Sequence, residues 1–430
     1  MSDEVPSASA AKNTCPVLFG MESSGSAHMG LPPVDCNEVF HQHAKHIGNL
    51  QGFSHILFSP TGIMYAVRDA DIYAGFPPVN PDEDWLTKAK CVGRGKWDQF
   101  HSLFFHPEGS LYAVSDDGEL YKGPPPDNEE VSWLYKVAKM IGTVGWLFPS
   151  LFFDPEGILY AVTSEGKLVK GKPPTEMNCD WLNNAETLGS GGWPKLTHFI
   201  AFSHDGNLWC VSKDEGKMYS APPPVQSSAD GWLEKAQYLG SGYDRYEMLA
   251  FTQDKTINKI LSLDFNVASA KIISQEPLTV GQHDCDNTAG TVPSTATLQF
   301  SEPLILESSF SHVYEFTVAA EASTTFKAGI PVVAENVTAV TLDVGTTYTW
   351  NFKETERKQV VDPSTLSILV PPGKAVRFKA FVQKRTLDVP YTAKVTTVFG
   401  YETTITGRWL GASVSRVGIK EEILDPKKEP

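Results

Sequence analysis

The sequence predicts an all-β protein: a five-bladed β-propeller followed by a second β-domain. Two observations support this interpretation. In the first part, a phrase of apolar runs and turn residues is written nearly identically at two places 48 residues apart, and weaker copies flank them. In the second part the repeats stop, and Thr, Ser and Val dominate segments that alternate between apolar and polar residues. Both patterns are typical of β-strands, and neither contains helical periodicity.

The repeated phrase is clearest in "SLFFHPEGSLYAVSDDGELYKGPPP" (residues 102–126) and "SLFFDPEGILYAVTSEGKLVKGKPP" (residues 150–174). Each copy is an apolar run, a Pro-x-Gly turn, an apolar run, a second Gly turn and a third apolar run, which predicts three antiparallel strands. A further stretch, such as "WLYKVAKMIG" from Trp133, is predicted to be the fourth strand. Four strands in a unit of about 45 to 50 residues are typical of a propeller blade.

The two ends of the repeat region predict how the ring closes. The first unit starts at Val17 and lacks the "LFFxPxG" strand, whereas the last unit, around Leu249, contains only that strand. We therefore expect the first blade to combine strands from both ends of the region, which leaves no free sheet edge.

Composition limits the possible partners. The formal charge of −15, with most of the acidic excess before Asn258, argues against nucleic acid, because phosphate binding requires a cationic surface. Six cysteines without CxxC spacing predict neither a metal site nor a disulfide framework. "HQHAKH" (residues 41–46) is the alternative metal candidate, but we favour loss of an aromatic residue and added surface polarity there. We expect no metal and no cofactor.

No secretory signal and no apolar stretch of membrane-spanning length is found. The expectation is a soluble chain, secreted or released without a classical signal peptide. No nucleophile, metal cluster or carboxylate pair recurs in the repeats, so we do not expect an enzyme.

The words "DW", "GGW" and "PPP" recur in the same order in the repeats, together with "LFFxPxGxLYAV". Over residues 17–257 this pattern resembles the tachylectin-type five-bladed propeller lectins. The resemblance implies binding of N-acetylated aminosugars, GlcNAc or GalNAc, between neighbouring blades, at the loop with "DW" and the segment with "GGW". The implied carbohydrate-binding residues are Asp84, Trp85, Gly95, Trp97, Trp133, Gly145, Trp146, Asp180, Trp181, Gly192, Trp193, Asp230, Trp232, Gly242 and Tyr243.

Departures from the pattern reduce the expected number of sites to two or three. Ser132 replaces Asp in the third unit, Asp230 is displaced by one residue, and Phe40 and Phe53 stand for both tryptophans of the first unit. The alternative role of each Trp is packing between blades, and that of each "GSGG" glycine is a turn.

Beyond Asn258, "FSHVYEFTVAAEASTTF" (residues 310–326) alternates over 17 residues, and "KAGIP" (residues 327–331) is predicted to be the turn before a returning strand. Such a hairpin is long enough to cross a bilayer, which needs about 9 to 11 residues per tilted strand. In the return strand, polar Asn336 and Thr338 fall on the same face as the apolar residues Val340 and Leu342. A bulge or register shift would restore a continuous apolar face. Asn336 and Thr338 also form a glycosylation sequon, which we expect to be unused.

The words "SFSHVYEFTV", "FKAGIPVVAE", "YTWNF", "PPGKAVRF", "LDVPYT" and "TGRWLG" follow in order. Together they resemble the elongated aerolysin-like β-pore-forming module, including natterin-like members. The resemblance implies that monomers gather on glycans, assemble into a homo-oligomeric ring on the target-cell membrane and each donate a hairpin to one β-barrel. The implied membrane-inserting residues are Phe310, Phe316, Val318, Phe326, Lys327, Gly329, Ile330, Pro331, Val340 and Leu342, and the implied lumen carboxylates are Glu315, Glu321, Glu335 and Asp343.

The expected organisation is an N-terminal tail (residues 1–16), the propeller (residues 17–257), the aerolysin-like domain (residues 258–420) and a C-terminal tail (residues 421–430). The leading hypothesis is a pore-forming lectin. The alternative is a non-lytic multivalent lectin, an agglutinin whose second domain only oligomerises.

Overall fold

A computed structural model describes residues 14–177, 180–300, 304–312, 316–323, 325–333, 339–352, 356–360, 364–414 and 418–424. The chain divides into two compact units: Met1–Thr256 with Val398–Tyr401, and Ile257–Thr397 with Glu402–Pro430. Both consist almost entirely of β-strands, and the all-β fold class is confirmed.

The first unit contains five four-stranded antiparallel sheets, the blades of the propeller. Blades 2 to 5 each use four strands consecutive in the chain: β4–β7, β8–β11, β12–β15 and β16–β19. The strands are β1 (Pro16–Glu22), β2 (Ser26–Gly30), β3 (Lys45–Asn49), β4 (His55–Phe58), β5 (Met64–Arg68), β6 (Asp71–Gly75), β7 (Lys90–Gly93), β8 (Phe100–Phe105), β9 (Leu111–Ser115), β10 (Leu120–Gly123), β11 (Lys139–Gly142), β12 (Ser150–Phe153), β13 (Leu159–Val162), β14 (Leu168–Gly171), β15 (Glu186–Gly189), β16 (Phe199–Phe202), β17 (Leu208–Val211), β18 (Met218–Ala221), β19 (Gln237–Gly240) and β20 (Tyr246–Gln253).

Ring closure follows the prediction. Blade 1 has the strand order β20-β1-β2-β3, so its innermost strand comes from the far end of the repeat region. Strands β1 and β20 pair antiparallel from Pro16 opposite Gln253 to Glu22 opposite Tyr246. The backbone of both chain segments is thereby paired, and the ring is closed by hydrogen bonds.

The predicted turns separate the strands within a blade. Gly109 of the Pro-x-Gly turn and Gly118 of the Asp-Gly turn adopt φ values of 94° and 78°. Their amides donate to the carbonyls of His106 and Ser115 at 2.8 and 2.9 Å. Glycine is favoured here because other residues avoid positive φ.

The predicted fourth strand is only partly a strand. "WLYKV" (Trp133–Val137) forms one helical turn, and the strand begins at Lys139. The Ala138 amide closes this turn on the Trp133 carbonyl at 2.7 Å. The other blades place short helical turns at the same point, namely α1 (Phe40–His43), Trp85–Thr87, α2 (Trp181–Asn184) and α3 (Ala229–Leu233).

A second set of short 3₁₀ turns starts at the later aromatic residue of a repeat: Trp97–Gln99, Trp193–Leu196 and Tyr243–Arg245. In the second unit, Val267–Ser269 forms a further 3₁₀ turn. Within the described part of the chain, no helix has the length and apolar character needed to cross a membrane.

The second unit is built from long strands. An eight-stranded sheet has the order β25-β21-β30-β31-β24-β28, with β22 and β32 also paired to β30, and β23–β29 and β26–β27 form two-stranded sheets. The strands are β21 (Thr256–Phe265), β22 (Lys271–Asn287), β23 (Ser294–Phe300), β24 (Leu304–His312), β25 (Thr317–Ser323), β26 (Thr325–Val333), β27 (Val340–Asn351), β28 (Glu356–Val360), β29 (Ser364–Val370), β30 (Lys374–Thr397), β31 (Glu402–Val414) and β32 (Gly418–Leu424).

The segment predicted as one strand from Phe310 to Phe326 is divided among β24, β25 and β26. The turn predicted at residues 327–331 is wrong for this fold, because β26 continues through it and Pro331 pairs with Leu342 of β27. The chain instead reverses between Val333 and Val340, which pair with each other. Proline, which cannot donate a backbone hydrogen bond, is tolerated in strands at sheet edges, and a two-stranded sheet has only edge strands.

A β-bulge interrupts the pairing of β26 and β27 between Ala328 and Ile330. Before the bulge, even-numbered residues of β26 pair with even-numbered residues of β27, as Ala328 does with Tyr348. After the bulge, odd-numbered Pro331 and Val333 pair with Leu342 and Val340. Between these pairs β26 advances two residues, from Ala328 to Ile330, while β27 advances five, from Tyr348 to Asp343. The register therefore shifts by three residues, and apolar residues pair across this end of the hairpin.

Candidate functional site

The aromatic residues of the repeats meet across neighbouring units. The ring of Trp97 lies 5.4 Å from that of Trp133, and the corresponding ring distances elsewhere are similar. These further pairs are Trp146 with Trp181 at 5.4 Å, Trp193 with Trp232 at 5.8 Å, Phe53 with Trp85 at 5.7 Å and Tyr243 with Phe40 at 6.2 Å. Each of the five junctions thus combines the later aromatic residue of one repeat with the earlier aromatic residue of the next.

Two aromatic residues of the same repeat therefore lie at different junctions. Trp85 belongs to the same core cluster as Phe53, whereas Trp97 belongs to a different cluster with Trp133. Asp84 and Trp85 therefore do not form one site with Gly95 and Trp97.

The tryptophans of the first motif are fixed through their indole nitrogens. Each Nε1–H donates to a backbone carbonyl of the proline-rich segment nine or ten residues earlier. The bonds are Trp85 to Phe76 at 2.8 Å, Trp133 to Pro124 at 2.6 Å, Trp181 to Lys172 at 2.9 Å and Trp232 to Pro222 at 2.8 Å. The recurring prolines thus belong to the segment that satisfies the buried indole.

The tryptophans of the second motif cover a glycine four residues earlier. A Cβ on Gly189 would lie 1.9 Å from Nε1 of Trp193, and one on Gly142 would lie 2.1 Å from Nε1 of Trp146. The ring therefore lies directly against the backbone of the preceding strand, which explains why that strand ends in glycine.

All seven tryptophans among the predicted sugar-binding residues are buried, with exposed fractions from 0 to 7%. Their main contribution is blade-to-blade packing, as in the alternative interpretation of the sequence.

The predicted aspartates have different local roles. Asp84 accepts a hydrogen bond from the Leu86 amide at 3.1 Å and caps its helical turn. Asp180 accepts from the Asn183 side chain at 2.6 Å. Asp230 forms an ion pair with Lys195 of the preceding repeat, so it lies at the same junction as Trp193 and Trp232.

A cavity of about 360 Å³ opens at the junction of blades 2 and 3. It combines Gly95 and Trp97, from the segment after β7, with Ser132 and Trp133, from the loop before β11. The lining residues are Arg94, Gly95, Lys96, Trp97, Gln99, Phe100, Ser132, Trp133, Leu134 and Tyr135. Predicted residues of both motifs therefore meet at one concave surface, as a small-molecule site requires.

Arg94 is held at the rim by two carboxylates. Its guanidinium contacts Asp71 at 3.2 Å and Glu129 at 2.6 Å, and Asp71 also accepts from the Gly95 amide at 2.8 Å. Glu129 raises the pKa of Arg94 above its ordinary value, so the guanidinium remains charged. These contacts fix the backbone of the segment that lines the cavity.

Of the ten lining residues, the sequence predicted only Gly95, Trp97 and Trp133 as sugar-binding, and the unpredicted ones include Lys96 and Tyr135. Tyr135 is 69% exposed, and Lys96 donates to its hydroxyl at 3.2 Å. For Lys96 the sequence did contain a signal. The residue just before the later aromatic is lysine in this repeat, whereas it is glycine in the other four (Gly52, Gly145, Gly192 and Gly242).

The predicted membrane-inserting residues lie in several elements of the second unit. Phe310 of β24 and Val318 of β25 pack against the core that contains Trp409 and Tyr391, as does Phe316. Of the others, Phe326, Lys327, Gly329, Ile330 and Pro331 lie in β26, and Val340 and Leu342 lie in β27.

The predicted lumen carboxylates are also distributed. Asp343 lies in β27, opposite Ile330 of β26, and Glu321 lies in β25. Glu315 and Glu335 lie outside the described residues, as do Asn336 and Thr338.

Comparison with protein families identifies both parts of the chain. Residues 20–248 match the family model described as Tachylectin. Residues 246–418 match the model described as Clostridium epsilon toxin ETX/Bacillus mosquitocidal toxin MTX2. These families are of the lectin and pore-forming toxin types rather than enzymes.

Solved structures resemble the chain as well. The one described as "The de novo evolutionary emergence of a symmetrical protein is shaped by folding constraints" is 33% identical, with a TM-score of 0.50, over 55% of this chain and 98% of that one. A lamprey immune protein is 16% identical, with a TM-score of 0.33, over 74% of this chain and 87% of that one. An aerolysin-like protein of Bombina maxima is 9% identical, with a TM-score of 0.25, over 38% of this chain and 97% of that one.

Proposed function

The chain belongs to the tachylectin family, and on that premise we propose that its propeller binds N-acetylated aminosugars, GlcNAc or GalNAc, at the junctions between blades. Together with the toxin-type second domain, this makes the chain a lectin-linked pore-forming protein.

The cavity between blades 2 and 3 is the observation that carries the sugar proposal. It combines the indoles of Trp97 and Trp133, the exposed ring of Tyr135 and backbone groups next to Gly95. Neutral sugars need this mixture, because their C–H faces pack on aromatic rings while their hydroxyls require hydrogen-bonding partners. The proposed contacts at this junction are Gly95, Trp97 and Trp133.

The other four junctions repeat the aromatic pairing, and three of them are proposed as additional sites. They contain Gly145, Trp146, Asp180 and Trp181; Gly192, Trp193, Asp230 and Trp232; and Gly242 with Tyr243. Several weak sites on one ring increase the avidity for a surface that displays many glycans.

Affinity chromatography tests the sugar assignment. Millimolar GlcNAc or GalNAc is expected to elute the protein from an aminosugar resin, whereas equal amounts of glucose or mannose are not. Equal elution by all four sugars contradicts the assignment to N-acetylated aminosugars.

For the second domain, we propose that bound monomers form a ring on the target-cell membrane and that each inserts the hairpin β26–β27, extended through β25. β26 has 9 residues and β27 has 12, which matches the length that a tilted strand needs to cross a bilayer. Only a closed barrel satisfies all backbone groups of strands in lipid, so insertion requires the oligomer.

Liposomes with and without aminosugar glycolipids distinguish the pore from the agglutinin. The pore requires release of an enclosed dye from glycan-bearing liposomes and a large oligomer in the membrane fraction. Clumping of the liposomes without dye release supports the agglutinin and contradicts the pore.

A further inference from the structure

Lys96 occupies an unusual backbone position. It has φ 69° and ψ 12°, in the left-handed region. The equivalent residues before the later aromatic of the other repeats are Gly52, Gly145, Gly192 and Gly242, with φ between 79° and 109°. A residue with a Cβ is strained in this conformation, whereas glycine is not. The fold therefore requires a left-handed backbone conformation here, and a lysine side chain does not stabilise that conformation.

The strained lysine lies beside a second departure from the repeat. Its ammonium lies 5.2 Å from the ring centre of Tyr135 and 3.2 Å from its hydroxyl oxygen. Two residues after the earlier aromatic, the other repeats carry Gln42, Thr87, Asn183 and Glu234. This junction alone therefore combines a cation at the first position with an aromatic ring at the second.

The charge of the cavity is opposite to that of the protein. The chain has a formal charge of −15, yet both charged residues that line the cavity, Arg94 and Lys96, are basic. The charge of Arg94 is compensated by Asp71 and Glu129. Among the described residues, Lys96 has no carboxylate within ion-pair distance, so its charge is available to a ligand.

We propose that the junction of blades 2 and 3 is an acidic-sugar site, in which Lys96 binds the carboxylate or sulfate of a saccharide while the saccharide ring packs on Tyr135. This inference rests on the proposed lectin function and assigns one of its sites to a different class of sugar. A charge-assisted hydrogen bond to Lys96 selects the anion, and the exposed ring supplies the apolar contact. The other junctions, with glycine at this position, take neutral sugars.

Calorimetric titration of the full chain at low salt tests the inference. The probes are the methyl glycoside of N-acetylneuraminic acid, its uncharged methyl ester, 6-sulfated GlcNAc and GlcNAc. The acid is expected to bind about 10-fold more tightly than its ester if the carboxylate source is correct, and sulfated GlcNAc about 10-fold more tightly than GlcNAc if the sulfate source is correct. Either preference is expected to shrink at high salt.

Three variants test whether the preference for acidic probes arises at this cavity. Lys96→Gly restores the residue of the other repeats and relieves the backbone strain, so it is expected to fold and to lose the preference while binding of GlcNAc at the other junctions persists. Tyr135→Thr introduces the residue of the second repeat and is expected to weaken the acid and its ester equally. Lys235→Ala removes an exposed lysine of blade 5 and serves as the matched control.

The outcomes separate this inference from the function on which it rests. Absence of binding by all four probes contradicts the lectin function itself. Binding of GlcNAc without any preference for an acidic sugar, or a preference that persists in Lys96→Gly, overturns the acidic-sugar site alone.

Discussion

The rings of Trp97 and Trp133 lie 5.4 Å apart and tilted by 38°, although the two residues belong to consecutive repeats. Each junction of the propeller is thus completed by the next repeat, and the last is completed by the first through Tyr243 and Phe40. Closing the ring therefore also completes the fifth junction.

Close contact between Trp193 and Gly189 predicts a large effect of a single methyl group. In Gly189→Ala, the new Cβ would lie 1.9 Å from Nε1 of a fully buried indole. We expect a loss of about 1 to 3 kcal/mol in the free energy of unfolding, because the ring must move within a packed junction. Urea unfolding, monitored by tryptophan fluorescence, measures this loss.

Gly191→Ala is the matched control, because its Cβ would meet nothing within 4 Å. It is expected to change the free energy of unfolding by less than about 0.5 kcal/mol. Equal midpoints for the two variants would show that the ring does not hold this position.

Blade 1 is expected to be sensitive to acid through His28. This residue of β2 pairs with His46 of β3, and its Nδ1 is buried with no hydrogen-bond partner among the described residues. Burial lowers the pKa of His28 from 6.5; Glu22 opposes this, whereas His46 and Arg245 add to it. The unfolded chain therefore binds a proton at a pH where the folded chain does not, and stability falls as the pH drops below about 6.5 toward the folded-state pKa.

Urea midpoints of the natural protein and His28→Gln, measured between about pH 7.5 and 5, test this. The urea midpoint of His28→Gln is expected to decline less on acidification than that of the natural protein. His204→Gln, on an exposed turn of blade 5, is expected to retain the natural slope. If His28→Gln follows the natural protein throughout, His28 does not cause the decline.

The blades were predictable because their signals are local. A Pro-x-Gly or Asp-Gly turn between apolar runs specifies a hairpin without reference to the rest of the chain. The pairing of Trp97 with Trp133 could not be predicted in this way, because it depends on how one blade packs against the next. The turn expected around Gly329 and Pro331 failed for a related reason, because turn-forming residues are also tolerated at bulges and in edge strands.

Fixing the hairpin to its own domain is expected to block the pore. The Val333 amide donates to Oγ of Ser413 at 3.3 Å, so the two residues are neighbours in β26 and β31. The double variant Val333→Cys/Ser413→Cys is expected to form a disulfide that abolishes dye release and preserves sugar binding, and reduction is expected to restore release. Ser413→Cys alone is the control. Dye release by the oxidised double variant would place the membrane-inserting segment elsewhere.

The pore is expected to prefer cations. Because Val340 and Leu342 pair with Val333 and Pro331, these four apolar residues share one side of the hairpin. Asp343, the next residue, points to the opposite side, which becomes the lumen when the apolar side faces lipid.

A ring of carboxylates contributed by all subunits favours cations over anions, most clearly in dilute salt, where screening is weak. The reversal potential of single pores across a salt gradient is expected to show this preference, and Asp343→Lys is expected to weaken or reverse it. The exposed Glu156→Lys, on a turn of blade 4, serves as a charge-matched control and is expected to leave selectivity unchanged. A natural pore that prefers chloride, or an Asp343→Lys pore with unchanged selectivity, contradicts the lumen position of Asp343.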